Sequence, residues 1–409
     1  MSIRLRYLAG GTVGIIIGLL LPLAGGDTLE LLRQLSGLVV TIGRFFLFPL
    51  MFFGMIIAAD ELRSDENLLP LAGRTVVWTL LAVVVSTLAG VLSVAVLAPQ
   101  RIPPMIQEGQ VAQVPSLLGE IAAGLRGNLF QVFVLNENAV AGVLLVGLLI
   151  GVSLHYDRSV TSPVSLVADS ANRILYRLNS QLVEFLGVLL IVPMAATVVL
   201  LREVPDLELF LQFLLVSVVA VLVVGFLLFP LIIFLLDRKR ARPLGWLRSM
   251  ITPVVPALVS GDSYFALGTL IRTGKEELDI HRKVGATVLP AVSLYGRAGS
   301  AMISIAGFLL VIRSYTALEI GVGDLIELSV AAMVYSFFLA RVPAGRVALL
   351  LSYLALRYGR GMEESYLILL PVMPILERIG AVLDVMTAGF VAQVVKMRTL
   401  AAAEAARRR

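Results

Sequence analysis

The residues of this chain that could do chemistry are ionisable side chains inside long apolar runs, namely Asp262, Arg297, Arg341, Glu377 and Asp384. A charge at the centre of a membrane helix costs about 2.5–3.5 kcal/mol on insertion scales. Five such charges without partners would approach or exceed the net stability of a domain, which is about 5–15 kcal/mol. We therefore expect these side chains to pair, to contact water or to bind a polar solute.

The last apolar run carries two of these carboxylates on one helical face. Residues at i, i+3, i+4 and i+7 share a face, and here they are Glu377, Gly380, Ala381 and Asp384. The two small residues would leave room for a ligand between the carboxylates. Arg297, in an earlier run that is rich in small residues, offers the matching positive charge. The same residues would also suit a structural arginine–carboxylate pair that ties two helices together.

The composition is that of a membrane protein. Hydrophobic residues make up 58% of the 409 residues, charged residues make up 15%, and the mean hydropathy is +0.94. Soluble domains carry about 25% charged residues. The absence of cysteine excludes disulfides and thiolate metal sites, and two histidines, His155 and His281, are too few for a typical histidine-built metal centre. Basic residues cluster between apolar runs, a positive-inside pattern that argues against a nucleic-acid partner.

Apolar runs of about 20 residues or more predict roughly eight transmembrane helices. They lie near 5–24, 36–60, 70–98, 129–156, 164–202, 206–236, 284–313 and 363–396. Two further apolar segments, 249–271 and 325–356, are interrupted by polar and helix-breaking residues at mid-length. We interpret both segments as re-entrant helical hairpins.

The basic loops predict that both termini are cytoplasmic. Basic clusters on both sides of 249–271 place the ends of that hairpin in the cytoplasm, while 325–356 enters from the opposite side. Interrupted segments of opposite entry suggest inverted repeats, which point to the midplane site of a secondary transporter. At the second hairpin tip, Arg341 and Arg346 suit either snorkelling to water or contact with a ligand.

Short motifs in a fixed order extend over nearly the whole chain. They are Phe48-Pro49-Leu50, Gly127–Phe133, Gly147–Leu154 and Pro193, followed by two hairpins, a glycine-interrupted seventh span and a polar last span. In this order they resemble the dicarboxylate/amino acid:cation symporter family, which contains the glutamate transporter homologues. The resemblance implies an all-α polytopic membrane protein with a glutamate-transporter-like elevator fold, in which about eight transmembrane helices and two re-entrant hairpins form inverted repeats.

The resemblance also implies an assembly and a division into domains. The protein would be a homotrimer in contact with lipid in a bacterial inner membrane. A static scaffold would comprise spans 1–2 (1–69) and the external loop with spans 4–5 (99–205). A transport domain, built from span 3 (70–98) and the segment 206–398, would move against this scaffold. Residues 399–409 would form a cytoplasmic tail.

The chain departs from the family pattern where the family binds sodium. The family's seventh span reads NMDGTA, and the similar stretch here, Gly296–Ala301, has Arg297 at the methionine and Ala298 at the aspartate. In the last span, the family's sodium-ligating aspartate aligns with Ala388. Two carboxylate ligands of the family's sodium sites are therefore absent, and a guanidinium adds a fixed positive charge.

The positions that bind substrate in the family differ as well. By resemblance, Glu377 stands at the aspartate that holds the substrate amine, Gly380 at the arginine that holds a side-chain carboxylate, and Asp384 at an asparagine near substrate and sodium. We expect a solute site, without metal or cofactor, built from Ser260, Asp262, Ser263, Arg297, Ser300, Arg341, Glu377, Gly380, Ala381 and Asp384.

These departures suggest sodium-independent transport. Arg297 would take the place of bound sodium and neutralise Glu377, Asp384 or an anionic solute. Coupling, if there is any, would be to protons through Glu377 or Asp384. The solute would be small and would bear a carboxylate, as amino acids and dicarboxylates do, because Arg297 or Arg341 can clamp a planar carboxylate. A neutral polar solute would also be consistent with Gly380, because the family's arginine that holds a side-chain carboxylate is absent there.

Other functions on the same scaffold stay open, namely an uncoupled exchanger, an anion-conducting channel or a non-transporting solute receptor. Accumulation of solute against its gradient distinguishes a coupled transporter from these. An enzyme is not expected. Fragments around Asp157 and Asp324 resemble those of intramembrane aspartyl proteases, but the two carboxylates fall at opposite ends of spans, separated by about 30 Å of hydrocarbon.

Overall fold

The computed structural model describes residues 2–21, 26–103, 133, 140–238, 242–316, 320–339 and 345–407, and it describes only the backbone of 26–28 and 400–407. Within these residues the chain is helical and has no strand. The helices are α1 (Ile3–Leu20), α2 (Gly26–Arg44), α3 (Leu47–Ser64), α4 (Leu68–Leu97), α5 (Val140–Ser153), α6 (Arg158–Leu189), α7 (Ile191–Glu203), α8 (Leu207–Val221), α9 (Phe229–Leu236), α10 (Pro243–Ser260), α11 (Ser263–Glu276), α12 (Arg282–Tyr295), α13 (Ala298–Tyr315), α14 (Val322–Phe338), α15 (Arg346–Tyr358) and α16 (Met373–Arg407). A π-helical segment, Leu222–Leu228, joins α8 to α9.

Helix α1 packs closely on α6 and α7 through small residues. Gly10, Gly14 and Gly18 recur every four residues and form one buried face of α1. A Cβ at Gly10 would lie 1.9 Å from the carbonyl oxygen of Gly187, so only glycine allows the two backbones to approach this closely. Close backbone packing of this kind holds helices together in lipid, where apolar surface alone does not drive association.

Two pairs of helices form helical hairpins. In hairpin 1, α10 and α11 pack against each other and are joined by Gly261 and Asp262. Gly261 ends α10 in the left-handed region (φ +71°), which favours glycine. In hairpin 2, α14 and α15 pack against each other, and α15 begins after Gly345, which is also left-handed (φ +78°). Residues 340–344 of this connection lie outside the described residues.

Two spans near the centre of the protein depart from a continuous α-helix. Helices α12 and α13 are separated by Gly296 and Arg297, and a 3-10 segment, Ser365–Val372, precedes α16. The apolar windows of these two spans are 94% and 72% buried within the protein, whereas that of α1 is 28% buried. Polar residues on the two central spans are therefore shielded from lipid by other helices.

The chain is an all-α membrane protein, as the sequence predicts. Six described segments are long and apolar enough to cross a membrane, or seven if α6 and α7, which are bent by 41°, count as one span. These seven correspond to the predicted spans 1–3 and 5–8. The predicted fourth span, 129–156, is described only as α5, and the motif 127–133 lies outside the described residues except for Phe133. Large apolar side chains on the outer faces of α1 and α4, such as Leu20 and Val96, are exposed and suit contact with lipid.

Candidate functional site

Buried ionisable side chains come together where the two hairpins, the break between α12 and α13, and the middle of α16 meet. They form a polar cluster, each member at most 8% exposed, that consists of Asp262, Arg297, Arg346, Glu377 and Asp384. Four of these are among the five membrane-embedded charges that the sequence indicates. The fifth charge that the sequence indicates, Arg341, lies outside the described residues.

Asp384 caps the beginning of α13. Its Oδ1 accepts hydrogen bonds from the backbone N–H groups of Gly299 (2.8 Å) and Ser300 (3.2 Å), and its Oδ2 accepts one from the Ser300 hydroxyl (2.8 Å). A carboxylate in this place satisfies free N–H groups and stabilises the positive end of the helix dipole. The contact requires glycine, because a Cβ at Gly299 would lie 2.0 Å from the carbonyl oxygen of Gly380.

Glu377 caps the beginning of α15 in the same way. Its Oε1 accepts hydrogen bonds from the backbone N–H groups of Val347 (2.6 Å) and Ala348 (3.3 Å). The guanidinium of Arg346 attracts this carboxylate. The second oxygen, Oε2, is buried and has no hydrogen-bond partner among the described residues. Glu377 therefore ties hairpin 2 to α16 and still has an oxygen that can accept a hydrogen bond.

Arg297 lies at the break between α12 and α13, and its side chain is fully buried. Its Nη1 donates a hydrogen bond to Ser263 Oγ and lies 4.0 Å from Oδ2 of Asp384. Its guanidinium carbon is 5.0 Å from the centre of the Tyr264 ring, which is a cation–π distance. Its Nε and Nη2 have no hydrogen-bond partner among the described residues. A buried guanidinium with unpaired donors suits a carboxylate ligand.

Arg346 is a member of the cluster that the predicted site omits. Snorkelling to water, one of the two interpretations of this residue, is wrong, because its side chain is 0% exposed. Its Nη1 donates a hydrogen bond to Ser263 Oγ (2.9 Å), and its Nη2 donates one to the carbonyl oxygen of Gly261 (3.0 Å). Its Nε has no partner among the described residues. The sequence shows Arg346 only as a second arginine within an apolar hairpin. This pattern does not tell whether the side chain points to water or into the protein.

The predicted residues at the tip of hairpin 1 differ in what they contact. Ser263 Oγ accepts hydrogen bonds from both cluster arginines. Asp262 forms an ion pair with Arg44 of α2 and accepts a hydrogen bond from the N–H of Tyr264 (2.8 Å), so both of its oxygens already have partners. Ser260 is hydrogen-bonded within α10 and to the backbone of the tip. Among the serines and the aspartate of this tip, Ser263 is the one that is hydrogen-bonded to Arg297 and Arg346.

Gly380 and Ala381 have a packing role. Gly380 lies against the backbone of Gly299, and Ala381 is fully buried in the hydrophobic core. The small residues between Glu377 and Asp384 therefore allow α13 to approach α16. The expectation that they leave room for a ligand on this face is wrong, because α13 occupies that space.

Each carboxylate of the cluster faces a guanidinium group among the described residues. The two cluster arginines face the carboxylates of Glu377 and Asp384, while Arg44 pairs with Asp262. Buried charges cost several kcal/mol each unless they are paired and hydrogen-bonded. Asp384 does not fit a sodium ion, because both of its oxygens accept hydrogen bonds and a guanidinium lies 4.0 Å away. No group of three or more acidic, histidine or cysteine side chains suited to a metal ion occurs among the described residues.

Another arginine links α16 to hairpin 1 and α7. The Nε of Arg378 donates hydrogen bonds to Thr197 Oγ1 (3.2 Å) and to the carbonyl oxygen of Val259 (3.3 Å). Together with the Arg44–Asp262 ion pair, this contact holds the tip of hairpin 1 against α2 and α7. The predicted site contains neither arginine.

A cavity of about 280 Å³ lies away from the cluster, between α3, α6, hairpin 1 and α12. Its walls include Asn172 and Tyr176 of α6 and Lys275 of α11, but no member of the polar cluster.

Comparisons with known proteins bear on the whole chain. The model of one family, described as the sodium:dicarboxylate symporter family, matches residues 5–397. No curated protein matches the chain.

Proposed function

Because the chain belongs to the sodium:dicarboxylate symporter family, we propose that it is a secondary active transporter that moves a small carboxylate-bearing solute without sodium. The observation that carries this proposal is the position of Arg297. Its guanidinium is fully buried, lies 4.0 Å from Asp384 and keeps two nitrogen atoms, Nε and Nη2, without partners among the described residues. A fixed cation at this point supplies the positive charge that a bound sodium ion would otherwise supply.

The proposed solute is an amino acid or a dicarboxylate. A carboxylate of the solute would accept hydrogen bonds from Nε and Nη2 of Arg297 and from Nε of Arg346, which have no other partner among the described residues. The unpaired Oε2 of Glu377 would accept a hydrogen bond from an ammonium group. Hydrogen bonds to charged groups contribute about 1.5–3 kcal/mol each, so this set of donors and one acceptor favours a charged solute over a neutral one.

Protons are the proposed coupling ion for an anionic solute. Each cluster carboxylate already faces a guanidinium group among the described residues, with Arg44 opposite Asp262, so a bound anion would add an uncompensated negative charge. Such a buried charge is costly, and a proton on a carboxylate restores the balance. Glu377 is the better candidate, because its Oε2 is unpaired while both oxygens of Asp384 accept hydrogen bonds.

The proposed movement is of the elevator type in a homotrimer, within a bacterial inner membrane and with both termini cytoplasmic. The transport domain would be 70–98 with 206–398, the scaffold would be 1–69 with 99–205, and both hairpins would be re-entrant. The contacts of the cluster support this division, because the two hairpins, α12–α13 and α16 supply both arginines and the carboxylates that face them. In such a movement the cluster would stay together, while contacts between the two proposed domains, among them those of Arg44, Arg378 and Arg282, would have to release.

Thermal unfolding of the detergent-solubilised protein tests the proposal, with aspartate, succinate and alanine each added in sodium and in choline buffer. Ligand binding raises the unfolding temperature by mass action. We expect a carboxylate ligand to stabilise the protein equally in both buffers. Stabilisation that requires sodium would contradict the role of Arg297. Concentrative uptake of the same ligand into proteoliposomes then separates a coupled transporter from an exchanger, a channel or a receptor.

A further inference from the structure

One side chain at the beginning of α15 joins hairpin 2 to the tip of hairpin 1. Arg346, the first residue of α15 in hairpin 2, donates hydrogen bonds to the Gly261 carbonyl oxygen (3.0 Å) and to Ser263 Oγ (2.9 Å) of hairpin 1. Both acceptors belong to the turn between α10 and α11 or to its edge. The guanidinium of Arg346 therefore links the two hairpins directly.

The position of Arg346 is determined from both sides. Before it, Gly345 adopts the left-handed conformation (φ +78°) and starts α15 at this point. After it, the N–H groups of Val347 and Ala348 donate hydrogen bonds to Glu377 Oε1 of α16. The beginning of α15 is therefore held between α16 on one side and the tip of hairpin 1 on the other.

Two arginines share one acceptor, Ser263 Oγ, and nearby carboxylates balance their charges. A hydroxyl oxygen has two lone pairs, and here it accepts hydrogen bonds from Arg297 and Arg346. Two guanidinium groups around one oxygen repel each other unless counter-charges are near. Asp384, 4.0 Å from Arg297, and Glu377, which Arg346 attracts, provide them.

We infer that Arg346 is a tethered cation that closes hairpin 2 onto hairpin 1 when neither solute nor a diffusible cation is bound. The consequence of this closure for transport rests on the proposed function. A carrier whose hairpins close without solute can return across the membrane without a solute, so it supports net uptake as well as exchange. Besides the solute contact proposed for its Nε, Arg346 therefore sets the hairpin distance through its Nη1 and Nη2 contacts with Ser263 and Gly261.

Distance measurements between the hairpins test this inference, and the natural absence of cysteine makes the labelling specific. Spin labels on cysteines introduced at Leu258 of α10 and Val334 of α14, both partly exposed, report the separation of the hairpins by pulsed electron paramagnetic resonance. We expect the parent protein to show the same single distance distribution in choline, in sodium and with succinate. Arg346→Gln should add a longer component in choline, and Arg346→Lys should reduce that component.

The matched control is Arg357→Gln. Arg357 lies on the same helix as Arg346, but it is half-exposed and pairs with Glu327 within hairpin 2. This variant should keep the parent distribution. An Arg346→Gln variant with the parent distribution in choline would overturn the inference, and so would a parent protein that is open in choline and closes only with sodium or solute.

Hydrogen exchange of the parent protein gives an answer that does not depend on the folding of a variant. If Arg346 closes the hairpin, the amides of residues 346–358 should exchange equally slowly in choline without solute and in sodium with solute. A tenfold or larger gain in protection on addition of sodium and solute would overturn the inference. Failure of the proposed function would appear separately, as an absence of carboxylate binding while the closed hairpin distance persists.

Discussion

The Oε1 atom of Glu377 in α16 accepts a hydrogen bond from the backbone N–H of Val347, in the first turn of α15, at 2.6 Å. Two helical turns later, Asp384 accepts hydrogen bonds from the first N–H groups of α13. Helices that begin inside a protein need partners for these N–H groups. One face of α16 thus provides a carboxylate for each of two buried helix starts, and this accounts for the spacing of its charges.

Removal of the Asp384 carboxylate should destabilise the protein strongly. Asp384→Ala leaves three donors of α13 without their acceptor and leaves Arg297 without its nearest carboxylate. Loss of one partner of a buried ion pair costs about 3–5 kcal/mol. Chemical unfolding in mild detergent measures this change. The control Glu327→Ala removes a carboxylate from an exposed pair and should have little effect. Equal losses in both variants would contradict the assigned cap.

The contact between α13 and α16 should not tolerate a side chain at Gly299. In Gly299→Ala the new Cβ would lie 2.0 Å from the Gly380 carbonyl oxygen, which belongs to a backbone that cannot turn aside. Overpacking of this kind costs about 1–3 kcal/mol or more. Gly323→Ala is the control, because its Cβ would meet nothing within 4 Å in helix α14. A lower unfolding temperature for Gly299→Ala than for Gly323→Ala is the expected result.

Local patterns in the sequence were sufficient to locate the hairpins. Polar and breaking residues within an apolar run are visible in a short window, and the predicted segments 249–271 and 325–356 overlap α10–α11 and α14–α15. The glycines on either side of Arg297, Gly296 and Gly299, likewise indicate an interrupted span, and the structure has a helix break there. In each case the signal and the structure lie within the same few turns of chain.

Partners that are distant in the chain were not predictable in the same way. Arg44 pairs with Asp262 across 218 residues, and Arg346 contacts Ser263 across 83 residues. The hydropathy of the sequence shows that these arginines lie in apolar segments. It does not show which residues of other helices contact them. The space between Glu377 and Asp384 was misjudged for the same reason, since it is α13, a separate span, that fills it.

Removal of the Asp262 charge should release the tip of hairpin 1 from α2. Asp262→Asn keeps a side chain that caps helices well, so α11 should still begin at Ser263. The ion pair with Arg44 is lost. We expect a cysteine introduced at the half-buried Ser260 to react faster with a thiol reagent in this variant. Lys283→Gln, which removes a charge from an exposed ion pair, is the control. An unchanged labelling rate would show that the ion pair does not hold the tip.

Replacement of Arg297 should weaken the binding of a carboxylate solute. Arg297→Ala removes two donors assigned to the solute, and a hydrogen bond to a charged group contributes about 1.5–3 kcal/mol. Two such bonds contribute about 3–6 kcal/mol together, and because about 1.4 kcal/mol is a tenfold change, the dissociation constant should rise at least about 100-fold. Isothermal titration in choline buffer measures it. Arg378→Gln is the control, because this arginine has its partners in α7 and hairpin 1. An unaltered affinity in Arg297→Ala would remove this residue from the site.

Proton coupling should be lost when Glu377 can no longer ionise. Glu377→Gln retains an oxygen that can accept the hydrogen bonds of Val347 and Ala348, so the cap on α15 should persist. The neutral amide imitates a permanently protonated carboxyl group. In the parent protein, uptake of a dicarboxylate into proteoliposomes should rise as the external pH falls, because each anion needs a proton to balance the cluster.

In Glu377→Gln the same uptake should become independent of pH and should no longer exceed the external concentration of solute. Exchange of internal for external solute should continue, because the arginines and the hairpin contacts are unchanged. Glu327→Gln, an exposed carboxylate on hairpin 2, should behave as the parent does. If Glu377→Gln still accumulates solute in response to a pH gradient, the proton is carried elsewhere, and Asp384 is the remaining carboxylate in contact with a cluster arginine among the described residues.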